Sequence, residues 1–263
     1  MSSAIGFMIR LQIRMRLAYR VAFLLNRLAQ IVAYASAFSA IWVLIHRFDN
    51  LAGWRWPELA LLLSFQLLGY GLGAALSFTQ MRDLEEAIHN GSFDTLLIKP
   101  YSPWLYLVFS GLNLGYLGHL VLAAGMLVWS LTAVSIDWTL FKAAYALAAL
   151  LSSAAMVCAM LTMIGASAFV LTRSRYLYGI FFGFWELLRY PLNIFPAQLQ
   201  WLLLTLLPMG FMNYVPVAYL LGKPPVVVGE LGGLLAPLAG VLVAGLAVLQ
   251  WRYCIRRYQG AGN

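Results

Sequence analysis

Charge is scarce in this chain. Asp, Glu, Lys and Arg make up 10% of its 263 residues, where soluble domains carry roughly a quarter. With 63% of residues hydrophobic, only lipid can hide so much apolar surface, which excludes a water-soluble globular fold. Cysteine is nearly absent too: Cys158 and Cys254 offer neither a disulfide framework nor metal-ligand spacing. The three histidines, His46, His89 and His119, fall in separate parts of the chain. No Ser/His/Asp set, carboxylate pair or His/Cys cluster can be assembled, which argues against a lipid-modifying enzyme. There is no Gly-x-x-x-x-Gly-Lys-Ser/Thr phosphate loop; Gly222-Lys223-Pro224 lacks both the preceding glycine and the following hydroxyl. Internal repeats, low-complexity tracts and linkers are missing as well, so residues 1–263 are expected to form one membrane domain. The lack of repeat symmetry and of midplane carboxylates weighs against a secondary transporter driven by an ion gradient. A non-transporting membrane scaffold is compatible with all of these absences.

What is present is a succession of long charge-free runs. About 20 apolar residues cross the hydrocarbon, and residues 28–45, 59–81, 100–136, 143–172 and 231–251 contain no Asp, Glu, Lys or Arg. The first run ends at Ile45-His46-Arg47 without a small-residue cleavage site, so it is expected to be a span rather than a cleaved signal. A further span is expected at residues 176–192, with Glu186 and Arg189 near the outer surface, where their i,i+3 spacing lets them pair. Residues 193–222 are long enough to cross again but are interrupted by Pro196, Pro208 and Pro216, each able to end or kink a helix. They are expected to dip in from the outer side and return as a re-entrant helical hairpin, with the backbone of its tip buried against protein. Charge supports an even count. With both termini in the cytoplasm, twelve of the seventeen Lys and Arg lie inside and five outside, as the positive-inside rule requires. The expected class is all-α integral membrane, with six transmembrane helices.

Residues 1–27 alternate arginine with apolar side chains. Arg10, Arg14, Arg16 and Arg20 share one side of a helical wheel, opposite Met8, Leu11 and Met15. Such a helix lies in the interface with its guanidinium groups on lipid phosphate. The basic excess is therefore directed at membrane lipids; no soluble domain is available to hold nucleic acid. Gly69, Gly71 and Gly73 permit close helix approach, and His119, with Asn113 nearby, reads as a hydrogen-bonded packing residue.

One polar segment interrupts the apolar chain, at residues 79–103. Asp83, Glu85 and Glu86 precede His89, a distribution that suits a helix dipole, and Asn90-Gly91 is a helix stop. Phe93, Leu96, Leu97 and Ile98 then form an apolar stretch closed by Lys99-Pro100. A short helix projecting from a membrane bundle in this way fits a groove on a soluble partner; the competing reading is a solvated connector.

The loop Gly91-Ser92-Phe93-Asp94-Thr95-Leu96-Leu97-Ile98-Lys99-Pro100 resembles a motif in membrane subunits of ATP-binding-cassette exporters, the second class of permeases. Tyr190-Pro191-Leu192-Asn193-Ile194-Phe195-Pro196, Leu207-Pro208 and Asn213-Tyr214-Val215-Pro216 look like the same family's outer region. The resemblance implies an inner coupling helix, carried here by residues 82–91 from Arg82 to Gly91. Asp94, Lys99 and Pro100 would fix its return, and Glu85 and Glu86 would pair with basic residues of the ATPase. It implies a separate ATP-binding subunit in two copies, holding ATP and Mg, with no cofactor on this chain. A second permease, identical or related, completes the pathway. Glu186, Arg189, Pro191, Pro196, Pro208 and Pro216 would belong to the outer gate or hairpin. Sparse charge along the spans favours an amphiphilic, drug-like or lipid-like cargo.

Overall fold

The structure is a computed structural model that describes residues 50–258 apart from 112 and 172, together with residues 25, 28–32, 35, 36, 39, 42 and 43. The interfacial arginines Arg10, Arg14, Arg16 and Arg20 lie outside the described residues. Apart from a single bridge between Leu51 and Trp54, the described residues hold no β-structure, and the all-α class holds.

Three helices are long and apolar enough to cross a membrane. These are α1 (Trp56–Arg82), α6 (Leu140–Ala166) and α10 (Gly229–Ile255). At 1.5 Å per residue each is about 40 Å long, more than the ~30 Å hydrocarbon thickness. Helix α1 starts where Pro57 needs no partner for its missing N–H and where the Glu58 carboxylate accepts the Arg55 amide at 2.8 Å. It is apolar all round and its most hydrophobic stretch is 83% buried, against 28% for α10. A helix hydrophobic on every face belongs in the centre, and α1 is the central mast.

The mast packs closely because its glycines face other helices. A Cβ on Gly73 would come within 2.5 Å of the Ala154 carbonyl oxygen, and one on Gly71 within 2.8 Å of Leu120. Gly69 faces Ser153 in the same manner, so the expected role of these glycines is met. Where α6 meets α10 the contact is stitched by polar groups. Pro237, inside α10, has no N–H for the carbonyl of Gly233 one turn back; the Tyr145 hydroxyl donates to that carbonyl instead. Tyr145→Phe is expected to cost about 1–2 kcal/mol, read as a lower melting temperature in detergent. Tyr145→Phe/Pro237→Ala should recover it, because alanine at that position restores the intrahelical donor.

The run at 100–136 is not one continuous helix. It divides into α4 (Pro103–Ser110) and α5 (Leu117–Ala133), joined through a 3-10 turn at Leu114–Tyr116. The break is held by Asn113. Its amide donates to the Ala75 carbonyl at 2.9 Å, its side-chain nitrogen donates to the Thr79 hydroxyl at 3.0 Å, and its side-chain oxygen accepts Gly115 N–H at 2.8 Å. Gly111 is needed beside it, since a Cβ there would collide with the Gln80 side chain.

Helix α7 (Tyr176–Leu187) stops at 12 residues, after which a 3-10 turn (Leu192–Ile194), α8 (Ala197–Leu204), a second 3-10 turn (Pro208–Met212) and α9 (Tyr214–Leu220) follow. Each proline here marks the start of an element rather than a kink inside one. Pro191 and Pro196 stand directly before their turns, Pro208 opens the second, and Pro216 sits in the first turn of α9, where no intrahelical donor is required. At the turn after α8, Leu206 is 76% exposed, while the Thr205 and Leu207 amides are bonded within the segment, to the carbonyls of Trp201 and Leu202.

Candidate coupling site

Helix α1 ends at Arg82, and after the single residue Asp83 the chain resumes as α2 (Leu84–His89). The length of α1 already exceeds the hydrocarbon, so α2 lies beyond it. Arg82 and Asp83 pair with each other at 3.1 Å, both about half exposed.

Glu85 turns inward toward this chain. One carboxylate oxygen accepts the Ser174 amide at 2.5 Å, the Ser174 hydroxyl at 2.9 Å and the Arg175 amide at 2.9 Å. Burial pushes its carboxyl up, but the bonds from Ser174 and Arg175 and the charge of Arg175 together outweigh that. They hold it below the ordinary value of 4.5. Glu86 meets the Arg175 guanidinium at 2.9 Å and stays largely exposed. The expected pairing with an ATPase therefore has a competitor inside the chain: α2 is tied to the loop between α6 and α7.

A second tie is apolar. Gly91, at φ 72°, makes the left-handed stop that glycine allows, and the Asn90 side chain accepts Ser92 N–H. The turn drives Phe93 into full burial. Its ring stands 5.0 Å from Phe169, just past α6, and 5.1 Å from Tyr258, past the end of α10, with Phe169 5.5 Å from Trp251. Helix α3 (Asp94–Leu97) follows. Lys99 places its ammonium 3.7 Å from the Tyr106 ring centroid at the start of the next span, which fits a fixed return. His89, Asn90, Pro100 and the apolar Leu97 and Ile98 face outward, Ile98 at 86% exposure. The structure thus brings Glu85, Glu86, His89 and Arg175 around one shallow depression and keeps Asp94, Lys99 and Pro100 apart from it.

At the opposite end of the bundle, Arg189 pairs with Glu186 at 2.7 Å and both are partly exposed. Fully buried Asn213 donates to the Leu188 carbonyl at 2.7 Å, and Gln66 of α1 donates to the Trp185 carbonyl at 2.7 Å, fixing the end of α7 against the mast. Sequence reasoning missed the strongest ion pair there. Lys223 meets buried Glu58 at 2.6 Å, donates to the Gly53 carbonyl and lies 4.7 Å over the Trp54 ring. The available signal was Glu58, a carboxylate at the mouth of a span with Pro57 beside it.

Comparison with the curated proteins gave no match, and neither did comparison with the solved structures. A family model described as ABC-2 family transporter protein matches residues 31–262. That match takes in the three long apolar helices and the polar segment between α1 and α4, and it implies partnership with an ATP-binding subunit. The chain belongs to the ABC-2 family of transporter proteins, as a multi-pass membrane permease subunit of an ABC transporter.

Proposed function

We propose that this permease exports an amphiphilic, drug-like or lipid-like cargo, driven by ATP hydrolysis on two copies of a separate ATPase subunit that bind residues 82–91. A second permease, identical or related, completes the pathway. The chain crosses an inner membrane six times with both termini in the cytoplasm, residues 193–222 enter from outside, and Glu186 and Arg189 stand at the outer gate. ATP and Mg reside on the ATPase.

One observation carries this reading: the polar segment is clamped twice, by Glu85 to the loop before α7 and by Phe93 to the ends of α6 and α10. Force applied to α2 is thereby delivered to four helices at once. A solvated connector has no need of a fully buried phenylalanine. The outward-facing His89, Leu97 and Ile98 offer contact area to the ATPase.

Co-expression with the ATPase subunit tests the docking. His89→Asp/Ile98→Asp is expected to lower co-purification about fivefold, roughly 1 kcal/mol of binding, without changing the melting temperature of the permease alone. Undiminished co-purification with undiminished transport-linked ATP hydrolysis would overturn the assignment.

A further inference from the structure

A cavity of about 1000 Å³ lies inside the protein, between α1, α4, α5, α6 and α10. It reaches the upper end of the ~300–1,000 Å³ range of ligand pockets. Along α6 it runs from Leu151 to Thr162, and along α10 from Ala244 to Ile255. Eleven residue steps at 1.5 Å make it about 16 Å deep, half of a ~30 Å hydrocarbon core and so one leaflet. It begins near the middle of α6 and α10 and ends where both finish, beside the coupling segment.

The two ends differ chemically. The deep end is leucine and alanine: Leu72, Leu120, Leu151, Ala154 and Ala244. At the shallow end stand Ser102, Trp104, Thr162, Trp251 and Arg252. The Trp104 indole N–H donates to the Thr162 hydroxyl, so those two satisfy each other. Arg252 is exposed, and among the described residues no carboxylate forms a salt bridge with it. Tryptophans at this depth mark the level of lipid headgroups.

Two further features point to an occupant from the membrane. Helix α5 packs on α1, α1 on α6 and α6 on α10, and among the described residues no comparable packing joins α5 to α10. The broken span between α4 and α5 also lines the cavity, through Asn113 and Tyr116. Irregular backbone at membrane depth is tolerated where it is buried in protein or lines a cavity.

We infer that the cavity binds the single acyl chain of an anionic amphiphile entering sideways from the cytoplasmic leaflet, with the Arg252 guanidinium on its phosphate or carboxylate head. A planar fork of donors suits such a head, and the leucine and alanine lining of the deep end suits the chain. This deepens the export reading, on which it rests for the cargo class and the sidedness. The site supplies a position for cargo beside the ends of α6 and α10, the helices to which Phe93 is clamped.

Cys158 lines this cavity and is partly exposed, whereas Cys254 is buried outside it, so Cys158 is the reporter and Leu206→Cys, at an exposed position away from the cavity, supplies the control thiol. In phosphatidylcholine nanodiscs, N-ethylmaleimide adducts on both thiols are followed by peptide mass. Hexadecyl phosphate is expected to slow modification of Cys158 about tenfold and leave the control thiol unchanged. Hexadecanol and inorganic phosphate should each give less than twofold protection. Arg252→Gln should abolish the effect and Arg252→Lys restore part of it. Equal protection by hexadecanol overturns the role of Arg252, protection by inorganic phosphate alone overturns the acyl chain, and no protection overturns the site. Cys158 protection without stimulated ATP hydrolysis in the assembled complex sinks the export reading and leaves the site standing. Stimulation without protection does the reverse.

Discussion

Replacing Glu85 with alanine is expected to cut transport-linked ATP hydrolysis by tenfold or more while the ATPase subunit still co-purifies. The reason is where the carboxylate is spent. Its oxygen accepts three donors from residues 174 and 175, and Ser174 is only 1% exposed. Alanine leaves buried Ser174 donors unmatched, at about 1–3 kcal/mol for each, and α2 keeps only the exposed Glu86–Arg175 pair to the loop that leads into α7. The ATPase would then push on a segment that is only loosely tied to α7. Glutamine retains one acceptor oxygen and should fall between wild type and alanine. The His89→Asp/Ile98→Asp variant should behave in the opposite way, losing the partner and keeping the clamp. Loss of co-purification in Glu85→Ala would assign Glu85 to the docking face and remove it from the clamp.

The same contact has a pH dependence of defined sign. Because the Glu85 carboxyl is held below 4.5 in the folded chain, its stabilisation is fully present above that ordinary value. It is lost as pH falls through the lower native value. The neighbouring groups facing it are Arg175, Glu86 and His89. Amide hydrogen exchange across residues 84–93 should therefore keep its protection from pH 7 to about 4.5 and lose it below. Protection lost already between pH 7 and 6 would overturn the assignment to Glu85.

How much of this was legible beforehand depends on the range of the interaction. Three charge-free runs became α1, α6 and α10 because the charges and prolines that bound them, Pro57, Arg82, Lys142, Glu230 and Arg252, lie at or near the helix ends. The helix stop at Asn90-Gly91 was readable for the same reason: it is local backbone chemistry. The break in residues 100–136 was not, since hydropathy is uniform through it. Gly111 and Asn113 were the only marks, and their meaning depends on Gln80, Thr79 and Ala75 of another helix. Glu85 was singled out correctly as a residue of the polar segment, yet its partners are 89 and 90 residues away. A contact of that separation leaves no trace in one sequence. Pro237 did leave one, because a helix-interior proline always frees the carbonyl four residues earlier; which residue would answer it, Tyr145, was beyond reach.

Lys223→Met is expected to be the most destabilising single substitution at the end of the bundle away from the polar segment at residues 79–103. The Glu58 side chain is 7% exposed and Lys223 is 30% exposed, so the pair is largely shielded from water. Removing one member of a buried pair leaves an uncompensated charge and costs about 3–5 kcal/mol. Some compensation survives, because the Arg55 amide still donates to the Glu58 carboxylate at 2.8 Å and the Arg55 guanidinium lies 3.6 Å away. A loss nearer ~2–4 kcal/mol is therefore expected. Glu58→Gln/Lys223→Met should recover most of it, since a buried pair replaced on both sides is often close to neutral. The check is a double-mutant cycle on melting temperature in detergent, where a coupling of at least ~1.5 kcal/mol is expected. Additive losses would show that Lys223 acts through Gly53 and the Trp54 ring rather than through Glu58. The pair joins the start of α1 to the segment leading into α10, while Phe93 packs with Met81 at the end of α1 and with Tyr258 beyond the end of α10.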